Sequence, residues 1–390
     1  MNDRSPTEAL HARAAELDAA DPLARWRDEF HIADPDLAYL DGNSLGMPPR
    51  RTLDRVDAVM HDQWGRDLIR SWDHWVDLPR QVGDLLAPLI GARAGEVIVH
   101  DSTTVNLYQL VRAALRLRPD RSRIAVDPGD FPTDRYVVDA VARADGLEVR
   151  TGFDDLDGVA VVVRSMIDYR TAEIADITAE TRRARDAGAL VVWDLSHAAG
   201  LHPVGLRDAG AELAVGCTYK FLNGGPGSPA FSYVADALID QIDEPFHGWF
   251  ARTDQFAMGP DFVPRDDIAR LLVGTPGILG LVGAQCGIEV TAEAGIDAIR
   301  AKSIELGRFG LRCCDALGLT TSTPTDDARR GGHLCVHHHD ARTVTRRLAD
   351  EHHVLADFRE PDVIRLGCSP LTTRFADVAR ATAAIAHLTA

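Results

Sequence analysis

Three residues near the middle of this sequence have the types and spacing of a catalytic set. Asp194 follows the apolar run 190–193, His197 comes three residues later, and Lys220 precedes the glycine-rich turn 223–227. A lysine that loses its proton can attack a carbonyl carbon, and burial or a nearby cation lowers the pKa that controls this step. A carboxylate such as Asp194 can keep a nitrogen base protonated. The pattern therefore favours covalent chemistry at Lys220.

Further polar and aromatic residues follow the other predicted strands. Thr103 and Thr104 open a predicted helix, where free backbone N–H groups favour an anion such as phosphate. Phe131 offers an aromatic face close to the Asp134 carboxylate, and Ser165 stands at the end of another strand. Because ligands bind beyond the carboxyl ends of parallel strands, we expect these side chains to converge.

One cofactor requires all of these groups together. Pyridoxal phosphate needs a phosphate cradle, an aromatic plate for its ring, a carboxylate at the pyridine nitrogen and a lysine for its covalent bond. The carboxylate matters because a protonated ring is the better electron sink. Singly, Asp194 could be a helix cap, His197 a core histidine and Lys220 a surface lysine. Their order along the chain is typical of a pyridoxal-phosphate site.

The elements that must position these residues alternate between strands and helices. Strands are predicted at 96–100, 123–127, 147–151, 159–164, 190–193, 213–217 and 230–234. Helices are predicted at 1–30, 102–117, 132–144 and 177–187. Continuously apolar strands that alternate with helices indicate a parallel sheet covered on both faces. We therefore predict an α/β fold whose large domain holds a mainly parallel seven-stranded sheet flanked by helices.

The pattern changes after about residue 285. A broken helical stretch and a second helix are predicted at 284–317 and 341–352, and strands at 333–337 and 363–367. These elements indicate a smaller α+β domain. The predicted units are an N-terminal segment that packs with the small domain (1–60), the large domain (61–284) and the small domain (285–390).

The composition limits the possible partners. The chain carries 42 Lys and Arg against 59 Asp and Glu, a formal net charge of −17, and 45% of its residues are hydrophobic. A negative chain has no general attraction for nucleic acid or for anionic membranes, and this hydrophobic content supplies a sizeable core. We therefore predict a globular protein that acts on a small molecule, without a nucleic-acid or membrane partner.

The cysteines and histidines form no pattern typical of a metal or disulfide site. The six cysteines are scattered without a CxxC pair, and the histidines at 337–339 cannot all converge because neighbours in a strand point to opposite faces. The longest uncharged run, 271–288, contains glycines and a proline, which favours a buried turn and helix over a membrane span. No apolar signal stretch is evident near the N-terminus. We expect a cytoplasmic protein without a metal.

Four motifs resemble those of the kynureninase family. They are YLDGNSLG at 39–46, FPTD at 131–134, WDLSHAAG at 193–200 and YKFLNGGPG at 219–227. The resemblance runs in order through nearly the whole chain, as far as Arg365. Kynureninases are pyridoxal-phosphate enzymes of fold type I, in the aspartate-aminotransferase superfamily. The resemblance implies hydrolysis of L-kynurenine, or of its 3-hydroxy derivative, to L-alanine and anthranilate or 3-hydroxyanthranilate in the kynurenine pathway, by a homodimer with shared active sites.

The resemblance also implies roles at the cofactor. Lys220 would hold the cofactor and shuttle the substrate α-proton, Asp194 would pair with the ring nitrogen, and Tyr219 would bind phosphate and act as a general acid. Trp249 and Thr275 would reach the cofactor from the partner subunit, which places part of the uncharged run at a dimer interface. The remaining cofactor contacts would be Thr103, Thr104, Phe131, Asp134, Ser165 and His197.

Substrate contacts follow from the same resemblance. Arg365 matches the arginine that grips the substrate α-carboxylate, and a planar guanidinium fork suits that group. Arg374 is a second candidate, although a surface helix position also explains it. Trp64, together with Gly274 and Thr275, resembles the bacterial aryl pocket, which favours kynurenine over 3-hydroxykynurenine.

Three other functions remain open at the level of sequence. A cysteine desulfurase or an aminotransferase would share the fold, but desulfurases place a histidine where this chain has Phe131 and need a reactive loop cysteine. A nicotinamide oxidoreductase lacks support because no G-x-G-x-x-G follows the first predicted strand of the large domain. A non-catalytic binding protein would have no need for Lys220, Asp194 and Tyr219 together.

Overall fold

A computed structural model describes residues 5–389 of the chain. The first four residues of the predicted helix at 1–30, and the last residue of the predicted unit at 285–390, lie outside the described residues. The helices are α1 (Pro6–Ala19), α2 (Arg50–Ala58), α3 (Trp72–Trp75), α4 (Leu78–Leu86), α5 (Thr103–Arg116), α6 (Pro132–Asp145), α7 (Ile177–Asp186), α8 (Asp236–Ile239), α9 (Ile278–Ala294), α10 (Ile296–Ala316), α11 (Ala341–His352) and α12 (Phe375–Thr389).

The strands are β1 (Ala38–Tyr39), β2 (Val97–His100), β3 (Arg123–Val126), β4 (Glu148–Thr151), β5 (Val159–Ser165), β6 (Leu190–Asp194), β7 (Leu213–Gly216), β8 (Ala230–Val234), β9 (His333–His337), β10 (Val354–Leu355), β11 (Asp357–Arg359) and β12 (Val363–Gly367). Seven of them form the central sheet in the order β2-β8-β7-β6-β5-β3-β4. β8 runs antiparallel to both neighbours, and the other pairs are parallel. The predicted α/β fold with a mainly parallel seven-stranded sheet is confirmed.

Helices cover both faces of the central sheet. Successive side chains of β5 alternate between two cores: Val161 and Val163 pack with Leu107 of α5 on one face. Val162 packs with Leu86 of α4 on the other face. Because both faces are buried, the central strands read as continuous apolar runs in the sequence. This burial holds the strand ends, and the polar residues that follow them, in fixed positions.

A third core forms around the three-stranded sheet β11-β12-β9, which is antiparallel throughout. Leu334 of β9 and Ile364 of β12 pack there against α10, α11 and α12. The N-terminal segment joins this core, because Ala14 of α1 is buried in it and β1 pairs with β10.

The predicted domain limit after residue 284 falls inside α9. Leu281 and Ile288 of this helix both pack in a core of the central sheet. The helix ends before Gly295, whose φ of 84° suits glycine, and α10 begins directly afterwards. The domain limits themselves stay a prediction.

Two local expectations differ from the structure. The helix predicted over 1–30 ends at Ala19, and only a short 3-10 helix, Ala24–Glu29, follows. Pro22 explains the stop, because proline lacks the backbone N–H and disfavours the helical conformation in the residue before it. A π-helix at Val59–Asp67 was not predicted from the sequence. Within the described residues, no helix is long and apolar enough to span a membrane.

Candidate active site

A cavity of about 220 Å³ lies beyond the carboxyl ends of β5, β6 and β7. It is lined by Asn43, Ser44, Thr103, Thr104, Phe131, Thr133, Asp134, Ser165, Tyr169, Asp194, Ser196, His197, Tyr219, Lys220 and Arg359. Every cofactor-binding residue that the resemblance placed in the chain's own site belongs to this set. The parallel strands bring these residues together because their carboxyl ends share one edge of the sheet.

Two loops position Lys220 in the cavity. The loop after β7 turns at the lysine, where Asn223 N donates to Lys220 O at 2.9 Å. The loop before α2 packs against this turn, since Gly46 N donates to Tyr219 O at 2.8 Å. A Cβ on Gly46 would lie 2.4 Å from Lys220 O, so the close approach requires glycine. The first and last resembling motifs therefore contact each other.

The Lys220 amine faces an imidazole and an aromatic ring. Its Nζ lies 3.1 Å from His197 Nε2 and 5.9 Å from the centre of the Phe131 ring. Burial, and after it the charge of Lys220, lower the pKa of His197 well below its ordinary value, so the imidazole is neutral. Among residues 5–389, His197 Nδ1 has no hydrogen-bond partner although it is buried. It is therefore available to a bound group.

Buried carboxyl groups surround the end of β6. Asp194 Oδ1 accepts hydrogen bonds from Ser196 N at 2.8 Å and from Ser196 Oγ at 2.5 Å. Burial, then the charges of Asp194 and Asp130, raise the pKa of Asp134 well above its ordinary value. Burial also raises the pKa of Asp130 to about 7, against the opposing effect of Arg164. The carboxyl groups repel one another, so a protonated ring nitrogen beside Asp194 would relieve that repulsion.

The N-terminus of α5 forms the anion-binding end of the site. Ser102 caps this helix by accepting from Val105 N at 3.4 Å, and Thr103 and Thr104 occupy its first turn. A second cavity of about 300 Å³ shares these threonines and Tyr219 with the first one. Burial raises the pKa of Tyr219, so its hydroxyl keeps its proton and can donate. A helix N-terminus with added hydroxyl donors fits a phosphate group.

The donor set as a whole fits pyridoxal phosphate. A lysine amine, an aromatic ring, a buried carboxylate and a phosphate-binding helix end open onto connected cavities. Asp194 would hold the ring nitrogen, Phe131 would cover the ring, and Thr103, Thr104 and Tyr219 would hold the phosphate. Each group matches a different part of the cofactor.

Arg365 lies behind the cavity wall and does not line it. Its side chain is 1% exposed, its Nε donates to Asp357 Oδ1 at 2.8 Å, and its Nη1 donates to Tyr169 O at 2.9 Å. Its Nη2 donates to Ser44 Oγ at 3.1 Å and also to Asp357. The cavity wall at this point carries Arg359 instead. The predicted contact between Arg365 and the substrate carboxylate stays a prediction.

Arg374 lies outside the cavity as well. Its Nη2 pairs with Asp377 Oδ1 at 2.8 Å at the start of α12 and donates to Pro35 O at 3.2 Å. These contacts agree with the explanation of Arg374 as a surface residue at the start of a helix.

Trp64, Trp249 and Thr275 lie on the surface of the chain and are not among the residues that line the cavity. Trp64 is 56% exposed in the π-helix, Trp249 is 40% exposed, and Thr275 is exposed in the loop before α9. Their predicted places, Trp249 and Thr275 at the partner's cofactor and Trp64 in the aryl pocket, stay predictions.

Sequence reasoning missed six lining residues. Four of them lie within the resembling motifs and could have been found there from the sequence: Asn43, Ser44, Thr133 and Ser196. Tyr169 and Arg359 belong to no motif. His333 of β9 was also missed: its ring centre lies 5.6 Å from that of His197, and neither ring nitrogen has a partner among the described residues.

The cysteines do not support desulfurase chemistry. All six are free and buried, so none is presented by an exposed loop. Burial raises the pKa of Cys217, the cysteine that shares the loop of Lys220, which keeps its thiol protonated and unreactive. The residues 5–389 also hold no cluster of three metal-ligating side chains.

Comparison with known proteins distinguishes the family from the fold. Two cysteine desulfurases, from Thermococcus onnurineus NA1 and Escherichia coli, superpose with TM-scores of 0.82 and 0.78 at 16% and 17% identity. These matches cover 94% of this chain in both cases, and 98% and 99% of the other chains. Likeness at this identity shows the fold, which is that of the fold type I enzymes.

The relatives that are close in sequence are kynureninases. The enzyme of Pseudomonas fluorescens is 41% identical over 93% of this chain and 91% of its own length. That of Deinococcus radiodurans is 42% identical over 95% of this chain and 94% of its own length. Residues 299–385 match the family described as the kynureninase C-terminal domain. The chain therefore belongs to the kynureninase family of pyridoxal-phosphate-dependent hydrolases, which cleave a carbon–carbon bond in a ketonic substrate.

Proposed function

We propose that this enzyme hydrolyses the Cβ–Cγ bond of L-kynurenine and releases anthranilate and L-alanine. The observation that carries the proposal is the presence of Lys220, Asp194 and Phe131 in one cavity beside the α5 N-terminus, in a chain of this family. Pyridoxal phosphate, when bound, supplies the electron sink for the charge left as the substrate loses its α-proton.

The residues of the cavity divide the remaining work. Lys220 holds the cofactor and, once the substrate amine has taken its place, carries the α-proton on Nζ. Asp194 keeps the ring nitrogen protonated. His197 remains neutral beside Lys220 because burial lowers its pKa, so it exchanges a hydrogen bond with the amine without adding charge. These roles require the three side chains to lie within one cavity, as they do.

Tyr219 serves the phosphate end and the proton transfers. Its pKa is raised by burial, so its hydroxyl is protonated at neutral pH and can donate a hydrogen bond to the phosphate. The same hydroxyl acts as the general acid when the side-chain ketone is activated for the attack of water. Tyr219 lines both cavities, which supports a part in both functions.

The substrate is bound at both of its ends. Arg365 anchors the α-carboxylate, and Trp64 with Gly274 and Thr275 forms the aryl pocket. The resemblance of this aryl set to the bacterial pattern supports a preference for kynurenine over 3-hydroxykynurenine.

The active enzyme is a homodimer with shared sites. Trp64, Leu68 and Ile69 on one segment, and Trp249 and Phe256 on another, all expose large apolar surfaces. Such surfaces are costly to leave in water and mark contact regions. We place the enzyme in the cytoplasm, which agrees with six cysteines that are all free.

The test is product release by the purified holoenzyme. Anthranilate is followed by its fluorescence from L-kynurenine, and 3-hydroxyanthranilate by its absorbance from 3-hydroxykynurenine, with Lys220→Ala as the inactive control. We expect cleavage of both substrates with a higher kcat/KM for kynurenine. The absence of cleavage from either substrate, in a protein that retains its cofactor absorbance, would overturn the proposal. A higher kcat/KM for 3-hydroxykynurenine would overturn the assignment of the aryl pocket.

A further inference from the structure

Arg359 is the arginine whose side chain lines the cavity that holds Lys220. It is the last residue of β11, and its Nη2 lies 2.8 Å from Asp357 Oδ2 on the same strand. Its Nε is buried without a hydrogen-bond partner among residues 5–389. A guanidinium group carries five donors, so this side chain keeps donors free for a bound anion.

Arg365, in contrast, has its donors committed to the protein. Nε and Nη2 form a fork on Asp357, Nη1 donates to Tyr169 O, and Nη2 also donates to Ser44. Placing the amide oxygen of Asn43 toward Arg365 adds a further acceptor, 2.8 Å from Nε. A substrate carboxylate would have to displace some of these contacts to reach Arg365 with a bidentate geometry.

The two arginines form one unit with Asp357. Asp357 accepts from both guanidinium groups, and Asp41 is a further carboxyl group whose charge acts on Arg359 and Arg365. Burial, and after it the charge of Arg365, lower the pKa of Arg359. A substrate carboxylate entering from the cavity beside Arg359 would offset part of the repulsion that Arg365 exerts on it. An α-amino acid held near Lys220 presents such a carboxylate.

We propose that Arg359 binds the α-carboxylate of the substrate directly, as a second guanidinium beside Arg365, with Asp357 holding both in place. This inference rests on the proposed function and deepens it, because the amino-acid substrate defines the anion. Arg359 supplies the guanidinium group that lines the cavity, and Asp357 ties it to the anchor Arg365. The site thereby selects amino acids over amines.

The experiment compares an amino acid with the amine that lacks its carboxylate. L-alanine and ethylamine are titrated into the holoenzyme, and binding is followed by the change in the visible absorbance of the cofactor. For Arg359→Gln we expect the Kd of L-alanine to rise about ten- to hundredfold, the effect of losing a hydrogen bond between charged groups. The Kd of ethylamine is expected to change less than about twofold. An unchanged Kd of L-alanine, or equal losses for both ligands, would overturn the proposal.

A double variant distinguishes a direct contact between Arg359 and the carboxylate from an effect that acts through Asp357 and Arg365. In an Arg365→Gln background, Arg359→Gln should weaken L-alanine binding further. If it adds no loss, Arg359 acts only by holding Asp357 and Arg365, and this result would overturn the direct contact.

Arg342→Gln is the matched control, because Arg342 packs over Phe358 of the same strand from outside the cavity. This variant is expected to leave both Kd values unchanged.

The outcomes also separate this inference from the proposed function. Wild-type protein that binds L-alanine but does not cleave kynurenine would overturn the proposed function, and the comparison of L-alanine with ethylamine would still decide the role of Arg359. Wild-type protein that cleaves kynurenine while Arg359→Gln keeps its affinity for L-alanine would overturn only this inference. Cofactor absorbance and Tm show in each case that the variant has folded.

Discussion

At the scale of single residues, the chemistry depends on how burial controls charge. Asp194 lies at the end of β6 among other buried carboxyl groups, and its role requires that it remain ionised beside a cation. Ser196 fixes the orientation of this side chain, since its backbone N–H and its hydroxyl both donate to Asp194 Oδ1.

Replacement of Asp194 tests this role. Asp194→Ala would leave the protonated ring nitrogen buried without its partner, which costs about 3–5 kcal/mol when a buried ion pair loses one member. We therefore expect kcat/KM for kynurenine to fall by at least about a hundredfold. Asp139→Asn, at a half-exposed position on α6, is the control and should keep the wild-type rate. Near-normal turnover by Asp194→Ala would contradict the role.

The motifs made these residues predictable from the sequence. Each catalytic group follows a recognisable strand and stands within a short motif, so its type and order are visible without the structure. Arg359 and His333 were not predictable in this way. They come from the small three-stranded sheet, which the sequence does not place beside the motif residues and which the folded chain brings to the site.

At the scale of elements, loop packing fixes the position of Lys220. The loop that ends at Gly46 contacts the lysine turn so closely that a side chain has no room. Gly46→Ala should therefore displace the turn and lower kcat for kynurenine by about a hundredfold, since a shift of about 1 Å in a catalytic group has that effect. Gly277→Ala is the control, because a Cβ there meets no atom within 4 Å. Equal activity of the two variants would show that the turn does not depend on this contact.

Glu244 connects α5 to the segment that leads to Trp249. Its Oε1 accepts from Gln109 Nε2 at 3.0 Å and from Phe246 N at 3.1 Å. Burial raises the pKa of this carboxyl from 4.5 to about 7. A group that binds its proton more tightly in the folded protein contributes its full stability below its unfolded pKa, and that contribution is lost as the pH rises through the folded pKa.

The pH dependence of stability follows from this shift. Between pH 4.5 and 8, ionisation of Glu244 should cost the folded protein about 3 kcal/mol. Glu244→Gln removes that loss, so its Tm should exceed the wild-type Tm at pH 8 and approach it at pH 4.5. Glu305→Gln is the control, because this side chain is partly exposed and its pairing with Arg308 is at the surface. A Tm difference that is the same at both pH values would contradict the raised pKa.

At the scale of the whole molecule, the sequence predicted the fold more fully than the assembly. The central sheet was predictable because its strands are buried on both faces and are therefore continuously apolar. The end of α1 is marked in the sequence by Pro22 and could have been predicted, whereas the π-helix at Val59–Asp67 could not, because no apolar period distinguishes it from an α-helix. The dimer was suggested only by resemblance, since exposed apolar residues such as Ile69 cannot be recognised without the structure.

The proposed sharing of active sites between subunits makes a specific prediction for mixed dimers. Lys220→Ala and Trp249→Ala should each be nearly inactive, but a mixed dimer contains one site with both changes and one with neither. After exchange of subunits at equal concentrations, activity should therefore recover to about a quarter of the wild-type value. Two samples of wild-type protein, mixed in the same way, show whether the exchange procedure itself changes the activity. A mixture that stays inactive would contradict sites built from two subunits.

The proposed activity is the hydrolysis of kynurenine in the cavity that contains Lys220. The most direct measurement is the amount of anthranilate and of L-alanine released from L-kynurenine by the purified holoenzyme and by Lys220→Ala. We expect equal amounts of the two products from the wild-type protein, over many turnovers, and none from Lys220→Ala. Anthranilate without equal L-alanine, or undiminished release by Lys220→Ala, would contradict it.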